Sequence, residues 1–433
     1  MIKKNNLVTQ FKQHPKYGAV LNLGKMISIT GGAQIIVQAL GFASGILIIR
    51  LLPVEEYGLY TLANTLMGAM MVLGDGGLST GVMSQGAKVW QNKEKLGAVL
   101  ATGLDLRRKF AIVSLTIFIP ILIYLLIHNN ASWLTSILIS ISLIPGFYAA
   151  LSDCLIEMVP KLHQDIIPLQ KNQISVGIFR LIIIGLTMFI FPWAFIAVLA
   201  NGIPRIFGNI KLQKIADKFI DKTTKPDPVI QKEIIKIVQR ILPGSIYFCL
   251  SGQITIWVIS IFGTTVGVAQ LGALGRFAML LNIFTVLINT LIIPRFARLE
   301  LRKKVLLKAS FYTISIVVTI SVLLLLFVSI FSNQLLLILG NSYKDLKNEM
   351  LLSVLIGCIN LGSTIFSYLS LSRGWVINPI LMIIFNLFGS IFPFFFVDVS
   401  TLNGVLMLSL FSALCGFLLN GSYIFFKILR LVK

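Results

Sequence analysis

Acidic residues are scarce in this chain. Of 433 residues, 16 are Asp or Glu and 37 are Lys or Arg, so only 12% carry charge. Soluble globular domains run near 25% charged and 45–50% apolar. The deficit in charge, together with 56% apolar residues, excludes a soluble enzyme and a disordered chain. Cysteine is also sparse. Cys154, Cys249, Cys358 and Cys415 lie far apart, in or at the end of apolar blocks, with no close Cys-x-x-Cys pair. They read as small apolar fillers, which excludes a disulfide framework and a zinc spacing. His14, His128 and His163 are scattered too, so no metal site is assigned. There is no Gly-rich phosphate loop, no H-E-x-x-H and no G-x-S-x-G elbow, and no catalytic residue is assigned. No segment is polar enough for a nucleotide-binding domain or a large external catalytic loop. An ATP-driven pump, a glycan polymerase and a membrane glycosyltransferase therefore rank behind a transporter without cofactors.

What the chain has in abundance is long uncharged apolar blocks, such as 311–331. One spanning helix takes about 20 apolar residues, so this composition allows about twelve spans. A membrane barrel would instead alternate apolar and polar positions. The blocks fall near 26–49, 59–83, 110–128, 132–153, 173–191, 193–210, 241–262, 272–293, 310–331, 350–371, 375–397 and 403–426. The fifth and sixth meet at Phe191-Pro192-Trp193, where Pro supplies a turn and Trp suits an interface. The first block is too long for a signal core, which predicts a retained span. The fold class expected is an all-α polytopic membrane protein with about 12 transmembrane helices.

The net charge of +21 suggests a membrane topology rather than nucleic-acid binding, because Lys and Arg collect in cytoplasmic loops. Starting inside and alternating, the inner segments 1–25, 85–109, 154–172, 211–240, 294–309, Arg373 and the tail from Lys427 hold 31 of the 37 basic residues. Arg50, Lys344 and Lys347 fall outside. This predicts cytoplasmic termini and an even number of spans. It also organises the chain as a cytoplasmic N-terminal segment 1–25, a six-helix lobe 26–210, a basic cytoplasmic linker 211–240, a second six-helix lobe 241–426 and a tail 427–433. The linker, "KLQKIADKFIDKTTKPDPVIQKEIIKIVQR", reads either as an amphipathic interfacial helix broken at Pro226 and Pro228 or as a solvated segment near anionic lipid heads. A faint repeat supports two halves: "LPVEEYGLYTLANTL" overlays "VGVAQLGALGRFAML" at an offset of 214, placing Val54 and Gly58 on Val268 and Gly272.

Polar groups within spans are costly and carry the functional reading. Asp75, in "VLGDGGLSTG", is a coupling or gating candidate; the plainer reading is a carboxylate at the cytoplasmic end of a Gly-loosened helix, paired with a loop lysine. Arg180, Arg205 and Arg276 lie in spans and suggest a cationic cavity for a phosphate or other anion. The structural alternative for Arg180 is a pair with Asp153 or Glu157, and for Arg205 a snorkel toward the cytoplasm. Gln34 and Gln38 share one helical face. With Asn64 and Gln253 they are candidates to line a polar cavity, against the alternative of hydrogen-bonding glue between helices.

The segment "IIRLLPVEEYGLYTLANTLMGAMMVLGDGGLSTGVMSQGA" (48–87) resembles the opening of the polysaccharide transporters. These are the O-antigen and capsule flippases of the multidrug/oligosaccharidyl-lipid/polysaccharide (MOP) exporter superfamily. The family's pattern falls on Arg50, Leu51, Pro53, Glu55, Glu56, Tyr57, Gly58, Leu59, Tyr60, Asp75, Gly77, Leu78 and Ser79. A second echo, "LLLILGNSYKD" (335–345), matches through Gly340 and Tyr343 but lacks the family's Pro. The resemblance implies two six-helix lobes, as in multidrug (MATE) exporters, around a central cavity in the inner (cytoplasmic) membrane. It implies transport of an undecaprenyl-pyrophosphate-linked oligosaccharide between leaflets, with proton or Na+ coupling left open. The partners implied are the lipid-linked substrate, membrane lipids, and a glycan polymerase with other assembly proteins. The alternative within the superfamily is a cation-coupled multidrug exporter.

Overall fold

The computed structural model describes residues 15–431. Residues 1–14, and with them much of the expected N-terminal segment, lie outside the described residues. Helices α1 (Pro15–Leu51), α2 (Val54–Asp75), α3 (Leu78–Val89), α4 (Lys93–His128), α5 (Trp133–Ile156), α6 (Met158–Leu162), α7 (Ile166–Ile190) and α8 (Ala194–Ala216) build the first lobe. The second contains α9 (Pro228–Ser251), α10 (Ile254–Phe262), α11 (Thr265–Leu291), α12 (Ile293–Ala297), α13 (Lys303–Leu339), α14 (Lys347–Leu371), α15 (Pro379–Ile391) and α16 (Leu402–Leu429). Single 3-10 turns follow α13 and α15, at Asn341–Tyr343 and Phe392–Phe395.

Each of the twelve expected blocks is helical. Among the described residues, eight helices are long and apolar enough to cross a membrane, and α2 with α3 forms a ninth span bent by 43°. The other three are α8, the broken pair α9–α10, and α15. Their charges, break and shortness keep them from standing out by length and composition. The outer surface is apolar: only 11% of the most apolar window of α13 is buried within the protein, and Phe311, Val318, Leu323 and Ile330 are exposed. Helices suit that environment because every backbone group is satisfied within the segment.

Local chemistry explains the breaks. Gly76 (φ 49°) and Gly77 (φ 95°) sit in the left-handed region, which glycine enters at little cost. Gly76 closes α2 by donating its N–H to the Val72 carbonyl, and Gly77 starts α3 in a new direction. Side-chain caps start several spans: Asn92 accepts from Lys95 N at 3.0 Å, Ser132 from Thr135 N at 3.1 Å, Thr264 from Gly267 N at 3.1 Å and Thr401 from Gly404 N at 3.1 Å.

Within the first lobe α5 packs on α8, α7 on α1 and α8, and α2 on α4; in the second, α14 packs on α16, α11 and α13. The lobes meet along α2 and α11. A Cβ at Gly58 would lie 2.5 Å from the Thr265 carbonyl oxygen, and one at Gly272 2.5 Å from Thr61 Cγ2. The two glycines aligned by the faint repeat thus admit each other's helix. The same end of the molecule is clasped by Arg50 Nε, which donates to the Ile338 carbonyl at 2.8 Å, and by Asn129, which donates to Ser260 Oγ at 2.9 Å.

The basic end differs from expectation in detail. Segment 211–240 is not one linker: 211–216 ends α8, and 228–240 begins α9. Pro228 starts a helix rather than breaking one, as its fixed φ and missing N–H favour at a first turn. Ile234 and Val238 of α9 are buried against the first lobe, and the short connection is tied down by Asp221 N donating to the Lys93 carbonyl at 3.1 Å. Similarly, 93–109, expected as loop, is the first half of α4.

Candidate functional site

A cavity of about 270 Å³ opens in the first lobe and is closed by one residue of the second. Helix α1 contributes Gln38, Ser44 and Gly45; α2 contributes Tyr60 and Asn64; α7 and α8 contribute Arg180, Asn201 and Arg205; α11 contributes Arg276. Three guanidinium groups therefore line one cavity, and no carboxylate lines it. Where α5 and α8 border the cavity they touch through backbone, a Cβ at Gly146 lying 3.0 Å from Gly202 Cα. That close crossing holds Asn201 and Arg205 at the wall.

The three arginines differ in their surroundings. Arg205 Nε bonds Asp153 Oδ2 at 3.1 Å, and Asn209 Nδ2 donates to Asp153 Oδ1 at 2.8 Å. Glu157 is engaged by Lys161 at 2.6 Å and by Gln173 Nε2 at 3.2 Å. Neither acid pairs with Arg180, whose Nε is buried without a hydrogen-bond partner among the described residues. Arg276 reaches across from α11 over Gly45, where an added Cβ would meet its Cζ at 3.1 Å, and lies against the Tyr57 and Tyr60 phenols. Tyr60 also accepts from Asn201 Nδ2 at 3.3 Å. The carboxylate pairing considered for Arg180 thus falls to Arg205, while Arg180 and Arg276 form no ion pair with a described residue.

The remaining candidates are divided. Gln38 and Asn64 line the cavity. Gln34, one turn from Gln38, instead donates to Gln173 Oε1 at 3.2 Å and Gln170 Oε1 at 3.4 Å, joining α1 to α7. Gln253 occupies the N-cap position of α10 without a side-chain capping bond and lies outside the cavity lining. Asp75 is also away from it, at the bend between α2 and α3. There it accepts from Ser79 Oγ and pairs with Arg107 Nη2 at 3.0 Å. Arg107 is not a loop residue as the hydropathy reading placed it. It lies inside α4 with 3% of its side chain exposed. Ser44, Tyr60 and Asn201 add to the polar lining; Tyr60 belonged to the resemblance motif and Asn201 is one of several asparagines within the apolar blocks, whereas Ser44 carried no signal.

No protein-family model and no curated protein matches this sequence. Solved structures match it over nearly the whole chain. An inward-facing multidrug resistance MATE family transporter of the MOP superfamily shares 16% identity with a TM-score of 0.72, over 92% of this chain and 96% of that one. An outward-facing MATE transporter gives 0.64 at 16% identity, over 94% and 96%. A MOP superfamily transporter from Pyrococcus furiosus, whose binding pocket is of reverse polarity, suggesting a different function, gives 0.65 at 16% identity, over 94% and 96%. The fold is that of the MATE-type transporters, with several helices long and apolar enough to cross a membrane. Identities of this size show the architecture alone, and a functional reading rests on the site.

Proposed function

We propose that this protein is a flippase that moves an undecaprenyl-pyrophosphate-linked oligosaccharide from the inner to the outer leaflet of the cytoplasmic membrane by alternating access. The observation that carries this reading is the cavity with three arginines and no lining carboxylate. A pyrophosphate offers several anionic oxygens, and guanidinium forks bind such groups in bidentate fashion. A cation-coupled drug exporter shares the fold, but a cationic drug would meet like charge here. The reverse pocket polarity of the Pyrococcus furiosus relative shows that the fold accommodates more than one pocket charge.

Energy would come from a proton or Na+ gradient, with Asp75 the coupling or gating candidate. The basic end, which carries α9 and the 217–227 connection, faces the cytoplasm under this reading, placing Lys and Arg inside. Membrane lipids surround the protein, and a glycan polymerase with other assembly proteins would receive the product.

The test is reconstitution in proteoliposomes loaded with undecaprenyl-pyrophosphoryl oligosaccharide, scoring accessibility of the glycan to an impermeant lectin, beside an ethidium-extrusion assay. The expected outcome is gradient-dependent glycan exposure without ethidium transport. Ethidium extrusion without glycan exposure would overturn the flippase reading in favour of a drug exporter.

A further inference from the structure

The arginine cavity is small for its proposed cargo. At about 270 Å³ it lies just under the range of about 300–1,000 Å³ usual for small-molecule sites. It suits a pyrophosphate head, and leaves an oligosaccharide to be held elsewhere. A second cavity of about 270 Å³ lies on the other lobe, between α11 and α14. Its polar lining is Asn282 and Thr285 from α11 with Asn360 and Thr364 from α14, and no ionisable side chain lines it.

Two observations give it a ligand. First, Asn282 and Asn360 are exposed and make no hydrogen bond to a described residue, although both lie within apolar spans, Thr265–Asn289 and Lys347–Leu371. An unsatisfied amide facing lipid costs several kcal/mol, whereas both amides line this cavity, where a polar ligand can pair with them. Second, the two cavities meet on one helix. Gly275 lines the neutral cavity and Arg276, the next residue, lines the cationic one. A molecule with an anionic head and an uncharged polyhydroxyl body would meet the pair in that order.

We infer that the α11–α14 niche is a sugar subsite, in which the amides of Asn282 and Asn360 and the hydroxyls of Thr285 and Thr364 take the hydroxyls of a neutral glycan while the pyrophosphate rests on the arginines. This rests on the flippase reading and adds to it the division of the substrate between lobes. Amides suit the task because each offers both donors and acceptors to a sugar ring. Gly275 keeps the niche open, since a Cβ there would meet nothing within 4 Å.

The experiment measures binding by the purified full chain in nanodiscs of two probes, undecaprenyl pyrophosphate alone and the same lipid bearing a neutral N-acetylhexosamine disaccharide. The wild type should bind the sugar-bearing probe about tenfold tighter, the effect of one or two net hydrogen bonds. Asn282→Ala with Asn360→Ala should erase that increment, and Gly275→Leu, which fills open space, should erase it independently. Arg180→Ala should weaken both probes together. Equal wild-type affinity for the two probes, or an increment that survives both niche variants, would overturn the sugar subsite and leave the flippase reading standing. Failure of the wild type to bind either probe would overturn both. Thermal unfolding of each variant separates loss of fold from loss of the subsite.

Discussion

Arg180 is the arginine with the least support from the protein. It is half-buried on α7, its buried Nε has no partner among the described residues, and the acids considered for it are engaged by Arg205 and Lys161. Under the flippase reading this guanidinium takes the pyrophosphate, and hydrogen bonds to charged groups contribute about 1.5–3 kcal/mol. Arg180→Ala should therefore lower flipping about 10- to 100-fold with little change in thermal stability, and Arg180→Lys should retain part of the activity by keeping the charge without the fork. Arg205→Ala should behave differently, because it strands Asp153; adding Asp153→Asn should restore the melting temperature. These are read by the lectin assay and by thermal unfolding in detergent, and normal flipping by Arg180→Ala would remove it from the site. Asp75 holds a nearly buried Arg107. Loss of one partner of a buried pair is strongly destabilising, and with Asp75 itself 30% exposed the expected cost of Asp75→Asn is about 2 kcal/mol. It should also lower transport more than Glu94→Gln, which changes an exposed residue in the first turn of α4. Normal transport and unchanged unfolding of Asp75→Asn would remove it from both roles.

At the scale of elements, the α2–α11 crossing joins the lobes. Gly58 and Gly272 sit where any side chain would collide with Thr265 or Thr61. Overpacking a close contact costs about 1–3 kcal/mol. Gly272→Val should thus open the end at which Asn129 bonds Ser260. In a chain freed of its native cysteines, Asn129→Cys with Ser260→Cys should react efficiently with a short bifunctional maleimide, and Gly272→Val should reduce that yield several-fold. An unchanged yield would mean that the crossing does not control that end. The repeat was faint in sequence because only the contact glycines and a few neighbours are shared. Their reciprocal packing, which explains the match, appears only when the lobes are assembled. The linker tells a similar story. Its alternating basic and apolar residues were equally suited to an interfacial helix, but Ile234 and Val238 bury against α3 and α4 instead, so the α9 half became part of the lobe contact.

For the whole molecule, orientation follows from charge. The exposed Lys218, in the connection between lobes, and the exposed Ser342, in the turn after α13, stand at opposite ends of the expected topology. An impermeant thiol reagent added to intact cells should label Ser342→Cys and spare Lys218→Cys; labelling of Lys218→Cys from outside would invert the assignment. The lobes are joined at the end bearing Arg50, Asn129 and Thr265, while at the basic end α9 reaches from the second lobe onto α3 and α4 of the first. Under the flippase reading, rocking about such an arrangement exposes the arginine cavity to one side at a time.

The sequence by itself determined the membrane class, the twelve helical blocks and the presence of three arginines in apolar spans. Each of these follows from composition and local periodicity, because insertion in lipid penalises any polar group and every unpaired backbone bond. It also brought Gln38 and Asn64 forward as lining candidates. Tertiary structure alone decided which polar residues share a cavity. Gln34 and Gln38 share a helical face, yet one bonds α7 and the other lines the site, because a neighbouring helix ends the equivalence of positions one turn apart. Arg107 looked like a loop cation and is a buried partner of Asp75, since hydropathy averages over a window and does not register a single ion pair that lets a helix continue through its charges. Arg205 and Arg180 were alike in sequence. What separates them is the position of Asp153 across the α5–α8 crossing, a distance set by two glycines in contact and by nothing local to either arginine.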